Sequence, residues 1–133
     1  MKVIVDTPIW SYALRSKKKE YEAYVREFES LILDQRVVII GPIRQEVLSG
    51  YSDKSKFEKL NSKLEYFENE LVIDIDYINA AKFSNLCRSK GIQGSHIDFL
   101  ICSVACRLNS EIFTTDKDFK LYKKHLPIQL FEI

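Results

Sequence analysis

The chain has 133 residues, of which 46% are hydrophobic and 29% charged, values typical of one globular domain around a single core. A formal net charge of +1 excludes a broad cationic face, so we expect any contact with nucleic acid to be local. No apolar run is long enough for a signal peptide or a membrane span, and three cysteines in predicted helices favour a reducing compartment, the cytoplasm, over a disulfide framework.

The first half of the chain alternates short apolar runs with amphipathic segments. In chain order the pattern predicts a strand at Lys2–Val5, a helix that begins at Thr7-Pro8, a helix over Tyr21–Ile32, a strand at Val37–Ile40 and a helix from Gly41-Pro42 to near Gly50. Thr7 is the expected N-cap of the first helix. The β-branched run Val37–Ile40 is typical of a strand that is buried on both faces.

The second half continues the alternation. The pattern predicts a helix over Phe57–Phe67, a strand at Leu71–Ile73, a helix that Asp76 caps and that runs to about Gly91, a helix over Ile97–Leu108, a strand at Glu111–Thr114, a short helix at Asp116–Lys123 and a last strand at Gln129–Phe131. Strands interleaved with helices predict an α/β fold, in which a mostly parallel sheet has helices on both faces.

Four acidic residues fall where predicted elements end or begin. Asp6 closes the first strand, Glu46 lies one turn into the helix after Val37–Ile40, Asp98 opens an apolar helix, and Asp116 follows the fourth strand. In open parallel sheets, ligands bind beyond the carboxyl ends of the strands. We therefore expect these side chains to converge at one edge of the sheet. Carboxylate oxygens gathered in this way bind hard cations such as Mg²⁺, which support hydrolysis of phosphate esters.

Each acid also has a structural explanation. Ser95-His96-Ile97-Asp98 matches a helix capping pattern, Asp6 suits a turn before a helix, and Glu46 suits a solvated helix face. Taken together, however, several neighbouring carboxylates repel one another unless a cation neutralises them. A divalent ion is therefore the simplest common explanation. His96 has the character of a lone exposed histidine, and Trp10 that of a core or partner-facing residue.

Four motifs, in a fixed order, resemble those of the PIN domain family and, within it, the VapC-type toxin ribonucleases. They are Val3–Trp10, Gly41–Gly50, Gly91–Ile101 and Thr114–Phe119, and the last, which reads Thr-x-Asp-x-Asp-Phe, is the most specific. The resemblance covers nearly the whole chain; Cys102-Ser103, where two alanines are usual, is a departure. It implies one domain over residues 1–133 with a three-layer α/β/α fold around a short, mostly parallel sheet.

The resemblance further implies a metal-dependent endoribonuclease that cleaves RNA needed for translation, a VapB-type antitoxin that covers the site, and homodimerisation. We expect Asp6, Asp98 and Asp116 to ligate one or two Mg²⁺ or Mn²⁺ ions and Glu46 to bind directly or through a water. The expected reaction is attack on phosphorus by a water that the ion activates, which leaves 5′-phosphate and 3′-hydroxyl ends.

Other residues are expected to support the site. Asp118 and Thr114 would assist the metal ligands, and the candidates for phosphate contacts are Arg15, Arg88, Lys90 and Lys117. Two alternatives remain: a PIN domain that binds RNA or a partner without cleaving, and a structure-specific DNA nuclease. The intact acids weigh against the first, and the short chain weighs against the second.

Overall fold

A computed structural model describes residues 1–133 and places five short parallel strands at the centre of the molecule. The strands are β1 (Val3–Val5), β2 (Val37–Ile40), β3 (Glu68–Glu70), β4 (Glu111–Phe113) and β5 (Gln129–Leu130), and their order across the sheet is β3-β2-β1-β4-β5. Every residue of β1 and β2 is buried, as expected for central parallel strands that helices cover on both faces. The predicted α/β fold is confirmed, and the sheet is wholly parallel.

Seven α-helices connect and cover the strands. They are α1 (Thr7–Arg15), α2 (Glu22–Leu33), α3 (Gly41–Ser49), α4 (Lys54–Leu64), α5 (Asp74–Ser89), α6 (His96–Leu108) and α7 (Asp118–Lys123), with a 3₁₀ turn at Lys19–Tyr21. The chain moves one way across the sheet from β1 to β3 and returns from β3 to β5. Right-handed crossovers therefore place α1–α4 on one face and α5–α7 on the other. Accordingly, α1 packs against α2 and α3, and α5 packs against α6.

The third strand is not where the apolar run predicted it. β3 is the polar segment Glu68–Glu70, and Leu71 and Ile73, in the predicted strand, are exposed. β3 is an edge strand, paired only with β2, and an edge tolerates charged side chains that a central strand excludes. Its Glu68 accepts an ion pair from Lys2 at 2.8 Å.

Several helix starts also differ from prediction: α4 begins at Lys54, α5 begins at Asp74 with Asp76 in its first turn, and two further differences involve Asp6 and Asp116. Asp6, not Thr7, is the N-cap of α1, because its carboxylate accepts a hydrogen bond from the backbone N–H of Thr7. Asp116 lies before α7, which begins at Asp118. In both cases the aspartate lies between a strand and the body of the helix that follows it.

The core is one cluster of 29 buried residues that spans both faces of the sheet. Trp10 belongs to it, as predicted: its indole N–H donates to the carbonyl of Val5 at 3.0 Å, and its ring makes edge contacts with Phe28 and Phe67. The buried indole is therefore not a platform for stacking bases. No helix has the length and hydropathy needed to cross a membrane.

An ion pair between Asp76, in the first turn of α5, and Arg107, in the last turn of α6, connects the two helices. The buried carboxylate of Asp76 receives two hydrogen bonds from the Arg107 guanidinium, at 2.8 and 3.0 Å, and a third from the backbone N–H of Ile73. Burial alone raises the pKa of Asp76, but these donors outweigh it, so the pKa lies below its ordinary value. The Ser103 hydroxyl donates to the Asp76 carbonyl at 2.8 Å, which gives the unusual Cys102-Ser103 pair a structural role.

Candidate metal centre

Asp6 lies at the carboxyl end of β1 and is held by three contacts. Its backbone N–H donates to the carbonyl of Phe113, the last residue of β4, at 2.9 Å. Its two carboxylate oxygens accept from the backbone N–H of Thr7 at 2.9 Å and from the Thr114 hydroxyl at 2.8 Å. The side chain is thus fixed between the ends of two adjacent central strands.

The carboxylate of Asp6 is difficult to ionise in this position. Burial raises its pKa to about 6, and the negative charges of Asp98 and Glu46 add to the rise, whereas the two hydrogen bonds oppose it. An ionised carboxylate here is unfavourable without a cation beside it. Perturbed acids of this kind are frequent at functional sites.

Asp98 approaches from the first turn of α6. The Ser95 hydroxyl accepts from its backbone N–H at 3.0 Å, so the predicted capping of this helix is present, but Ser95 provides the cap and leaves the Asp98 carboxylate free to point elsewhere. Burial and the charges of Asp116 and Asp118 raise the pKa of Asp98, against the opposing effect of the Tyr122 and Ser95 hydroxyls.

The loop after β4 carries the remaining aspartates in a chain of hydrogen bonds. The backbone N–H of Asp116 donates to the Thr114 hydroxyl at 3.0 Å, and that hydroxyl in turn donates to Asp6. The backbone N–H of Asp118 donates to the Asp116 carboxylate at 2.9 Å. Thr114 therefore links Asp6 to Asp116, as its predicted supporting role requires.

The tightest group of carboxylates differs from the predicted ligand set. One oxygen from each of Asp98, Asp116 and Asp118 lies within 4.8 Å of the others. Asp118, which the sequence suggested as a supporting residue, is thus a member of this group. Asp6 lies outside it but close enough for its charge state to respond to Asp98.

Glu46 is the most solvated of the four predicted acids. Its side chain is exposed on α3 and makes no hydrogen bond or ion pair within the chain. Its charge nevertheless contributes to the raised pKa of Asp6, so it faces the same edge of the sheet. This position suits the predicted contact through a water.

The four predicted phosphate-binding cations are dispersed. Arg15 ends α1, which at 1.5 Å per residue puts it roughly 13 Å from Asp6, and its guanidinium contacts the Gly50 carbonyl and the Tyr51 ring. Lys117 lies between Asp116 and Asp118, and is exposed.

The other two cations lie toward the end of α5. Arg88 lines a cleft between α5 and α6, together with His96, and Lys90 is exposed just beyond the helix. Lys117 adjoins two of the carboxylates in sequence, and the cleft that Arg88 lines is also lined by His96, two residues before Asp98.

Tyr122, which the sequence did not single out, contacts the site. The Tyr122 hydroxyl donates to Asp98 at 2.7 Å, and Gly94 lies directly against that hydroxyl. Asp118 and Tyr122 are four residues apart and hence on one helix face, and this spacing is the sequence signal that could have identified the tyrosine. Tyr12, on α1, reaches the same loop through a 2.8 Å hydrogen bond with Thr115.

The donor set fits a divalent cation. The three side chains whose oxygens lie within 4.8 Å of one another are all carboxylates, which are the oxygen ligands that Mg²⁺ and Mn²⁺ prefer. No lysine or arginine forms an ion pair with any of them. The Thr7 hydroxyl, adjacent to Asp6, is also buried without a hydrogen-bond partner in the chain. A cation would stabilise the ionised forms of Asp6 and Asp98, whose pKa values are raised mainly by burial and further by neighbouring negative charges.

Comparison with known proteins agrees with this arrangement. A family model described as the PIN domain matches residues 3–125. The chain belongs to the PIN domain family. PIN domains are typically nucleases that depend on a divalent metal, and the acidic cluster stands at the expected edge of the sheet. No curated protein sequence matched the chain.

Solved structures share the fold of this PIN domain along its whole length. FitAcB from Neisseria gonorrhoeae is 20% identical with a TM-score of 0.78, over 98% of this chain and 96% of the other. VapBC2 from Rickettsia felis, bound to a promoter DNA fragment, is 22% identical with a TM-score of 0.76, over 99% and 98%. A toxin–antitoxin complex from Klebsiella pneumoniae is 19% identical with a TM-score of 0.68, over 99% and 100%.

Proposed function

We propose that this PIN domain is a metal-dependent endoribonuclease and acts as a VapC-type toxin that cleaves RNA needed for translation. The observation that carries the proposal is the convergence of Asp6, Asp98, Asp116 and Asp118 at the carboxyl edge of a parallel sheet. The full-length likeness in fold to toxin–antitoxin structures supports the biological role.

The residues divide the chemistry between them. Asp98, Asp116 and Asp118 hold one or two Mg²⁺ or Mn²⁺ ions, and Asp6, fixed by Thr7 and Thr114, adds a further carboxylate. When bound, such an ion lowers the pKa of a water and stabilises the charge that develops on the phosphate. Glu46 is in place to accept a hydrogen bond from a water at the rim of the site.

Substrate binding depends on local positive charge. Lys117 lies within the acidic loop, and Arg88 and Lys90 approach from the end of α5. Since the net charge is only +1, these side chains would hold a short stretch of single-stranded RNA at the carboxylates, not a long duplex. So little positive charge favours single-stranded RNA over the duplex DNA flaps that a structure-specific nuclease cleaves.

The enzymatic proposal is tested by incubating the purified protein with total RNA in Mg²⁺, Mn²⁺ or EDTA. We expect cleavage with either metal, none in EDTA, and products with 5′-phosphate and 3′-hydroxyl ends. Asp98→Asn and Asp116→Asn should each lower the rate at least 100-fold, while Asp34→Asn, which changes an exposed aspartate at the end of α2, should match the wild type. Cleavage that persists in EDTA, or ends that carry a 2′,3′-cyclic phosphate, would contradict the mechanism.

The toxin proposal has its own test in growing cells. Induction of the wild type should arrest growth and translation, and induction of Asp116→Asn should not. If the wild type cleaves RNA in vitro but does not arrest growth, the proposed nuclease activity is supported and the proposed toxin role is contradicted. Metal binding without any cleavage would instead favour the non-catalytic alternative.

A VapB-type antitoxin is the partner we propose, and an apolar groove offers it a surface. The groove lies between α1, α2 and α4 and is lined by Leu14, Phe28, Leu60 and Tyr66 among others, with a volume of about 350 Å³. An amphipathic segment would fill such a groove with its apolar face. Leu14→Asp should weaken capture by the antitoxin and leave RNA cleavage unchanged.

Homodimerisation in the cytoplasm completes the proposal. Leu71, before α5, and three residues at the start of α5, Ile75, Tyr77 and Ile78, expose large apolar side chains that a second copy would cover. Light scattering of the purified protein should give twice the chain mass, and Ile78→Asp should shift it toward the monomer. A wild-type protein that stays monomeric at micromolar concentration would contradict this part of the proposal.

A further inference from the structure

The hydroxyl of Tyr122 has a role that packing does not explain. The side chain is fully buried, and its ring packs against Phe99 and Phe119 with centroid distances of 5.0 and 5.2 Å. A phenylalanine would make the same ring contacts. The hydroxyl makes one hydrogen bond, a donation to Oδ2 of Asp98 at 2.7 Å.

That hydrogen bond joins the two helices that supply the tightest carboxylates. Asp98 lies in the first turn of α6, whereas Asp118 opens α7 and Tyr122 follows it one turn later on the same helix face. Tyr122 therefore fixes the position of Asp98 relative to Asp116 and Asp118. Without it, the Asp98 carboxylate would be free to rotate about its side-chain torsions.

Gly94 provides the space that the hydroxyl occupies. A Cβ atom at this position would lie 2.3 Å from the Tyr122 hydroxyl oxygen, 2.8 Å from its Cζ and 2.9 Å from Cζ of Phe99. These separations are shorter than any ordinary carbon contact. Both aromatic rings are buried in the core, so a side chain at residue 94 would displace the hydroxyl from Asp98.

The bond also leaves the two oxygens of Asp98 unequal. Oδ2 accepts a hydrogen bond from the tyrosine, which makes it the weaker metal ligand of the two, whereas Oδ1 has no hydrogen-bond partner in the chain; the Ser95 hydroxyl is near enough to stabilise the charge of the carboxylate. Asp98 is thus prepared to offer a single oxygen to a cation. Ca²⁺ takes six to eight oxygens and often both from one carboxylate, whereas Mg²⁺ requires a near-octahedral set and takes one.

We propose that Tyr122 is a positioning residue that holds Asp98 as a one-oxygen ligand and so makes the site selective for Mg²⁺ over Ca²⁺, with Gly94 as the residue that permits its approach. This inference rests on the proposed metal site. It assigns the tyrosine no contact with the substrate. Its effect is exerted through the orientation of one carboxylate.

The test compares the binding of Mg²⁺ and Ca²⁺ to the full-length protein by calorimetry. In Tyr122→Phe we expect Mg²⁺ affinity to fall about tenfold, in the range seen when a group that orients a metal ligand is removed. Ca²⁺ affinity should be unchanged or higher, so the ratio of the two affinities should fall at least tenfold. Gly94→Ala should change the ratio in the same direction, and Tyr66→Phe, at an exposed tyrosine of the apolar groove, should leave it unchanged.

Nuclease activity gives a second measurement. Cleavage by Tyr122→Phe should be reduced at low Mg²⁺ and largely restored at high Mg²⁺, which a general loss of packing would not produce. A wild type that binds Mg²⁺ selectively alongside a Tyr122→Phe variant with the same affinity ratio would overturn this inference alone. A wild type that binds neither ion would remove the proposed metal site and this inference together. If Gly94→Ala does not fold, Tyr122→Phe decides the question, because its ring fills the same space.

Discussion

Replacement of Asp6 by asparagine should stabilise the metal-free protein. Asp6 is 7% exposed, and burial holds its pKa at about 6 against an ordinary value of 3.8. At pH 7.5 the folded protein must keep this carboxylate ionised in an environment that opposes the charge. This rise in pKa lowers the free energy of unfolding by roughly 3 kcal/mol, because a shift of one pKa unit corresponds to about 1.4 kcal/mol.

The asparagine keeps most of the contacts of Asp6. Its side-chain oxygen can still accept from the Thr7 N–H and cap α1, since Asn is as good an N-cap as Asp. Its amide nitrogen would face the Thr114 hydroxyl, which must turn to accept instead of donate. We therefore expect a net gain of about 2 kcal/mol, or roughly 5–10 °C in melting temperature for a chain of this size.

The stability difference between Asp6→Asn and the wild type should depend on pH. The pKa of Asp6 is higher in the folded protein than in the unfolded chain. The favourable contribution of Asp6 to the free energy of unfolding is therefore fully present below pH 3.8 and is lost as the pH rises through about 6. The stability difference between variant and wild type should therefore be small at pH 4.5 and largest above pH 7. Added Mg²⁺ should stabilise the wild type more than the variant.

Thermal melts in EDTA at pH 4.5 and 7.5 measure this difference directly, with Asp34→Asn as the control for loss of one surface charge. If Asp6→Asn is no more stable than the wild type at pH 7.5, or if its advantage is equal at both pH values, the reasoning about the buried carboxylate is wrong.

Three further predictions concern the metal site and the scaffold. Mg²⁺ affinity should fall as the pH drops below about 6, because Asp6 and Asp98 both have raised pKa values and must lose their protons to bind; calorimetry at pH 5.5 and 7.5 would show equal affinities if the carboxylates were not ligands. Arg107→Ala should lower the free energy of unfolding by about 3 kcal/mol in urea titrations, since it leaves the Asp76 carboxylate buried without its partner, and a loss below 1 kcal/mol would contradict the importance of this pair. Gly91→Ala should lower it by about 1 kcal/mol, because residue 91 has a φ of 77°, where a Cβ is strained although no neighbour blocks it; an unchanged midpoint would contradict the argument.

Much of the fold was predictable because its central elements have local signals. The buried strands β1 and β2 are continuous apolar runs, and Pro8 and Pro42 mark the helix starts that follow them. β3 was misplaced for a physical reason. As an edge strand it exposes most of its side chains, so nothing in its composition distinguishes it from a loop, while in the apolar run beside it Leu71 and Ile73 are exposed and only Val72 packs against the core.

The sequence by itself determined which acids stand at the ends of elements, because strand and helix boundaries are set by neighbours a few residues away. Only the tertiary structure decided how they group. It brought Asp118 beside Asp98 and Asp116, and it buried Asp6, which raises the pKa of that carboxylate to about 6. It also placed the Tyr122 hydroxyl on Asp98, across the space that Gly94 leaves open. Such contacts join residues on different elements, and the distances between them depend on how the helices pack against the sheet.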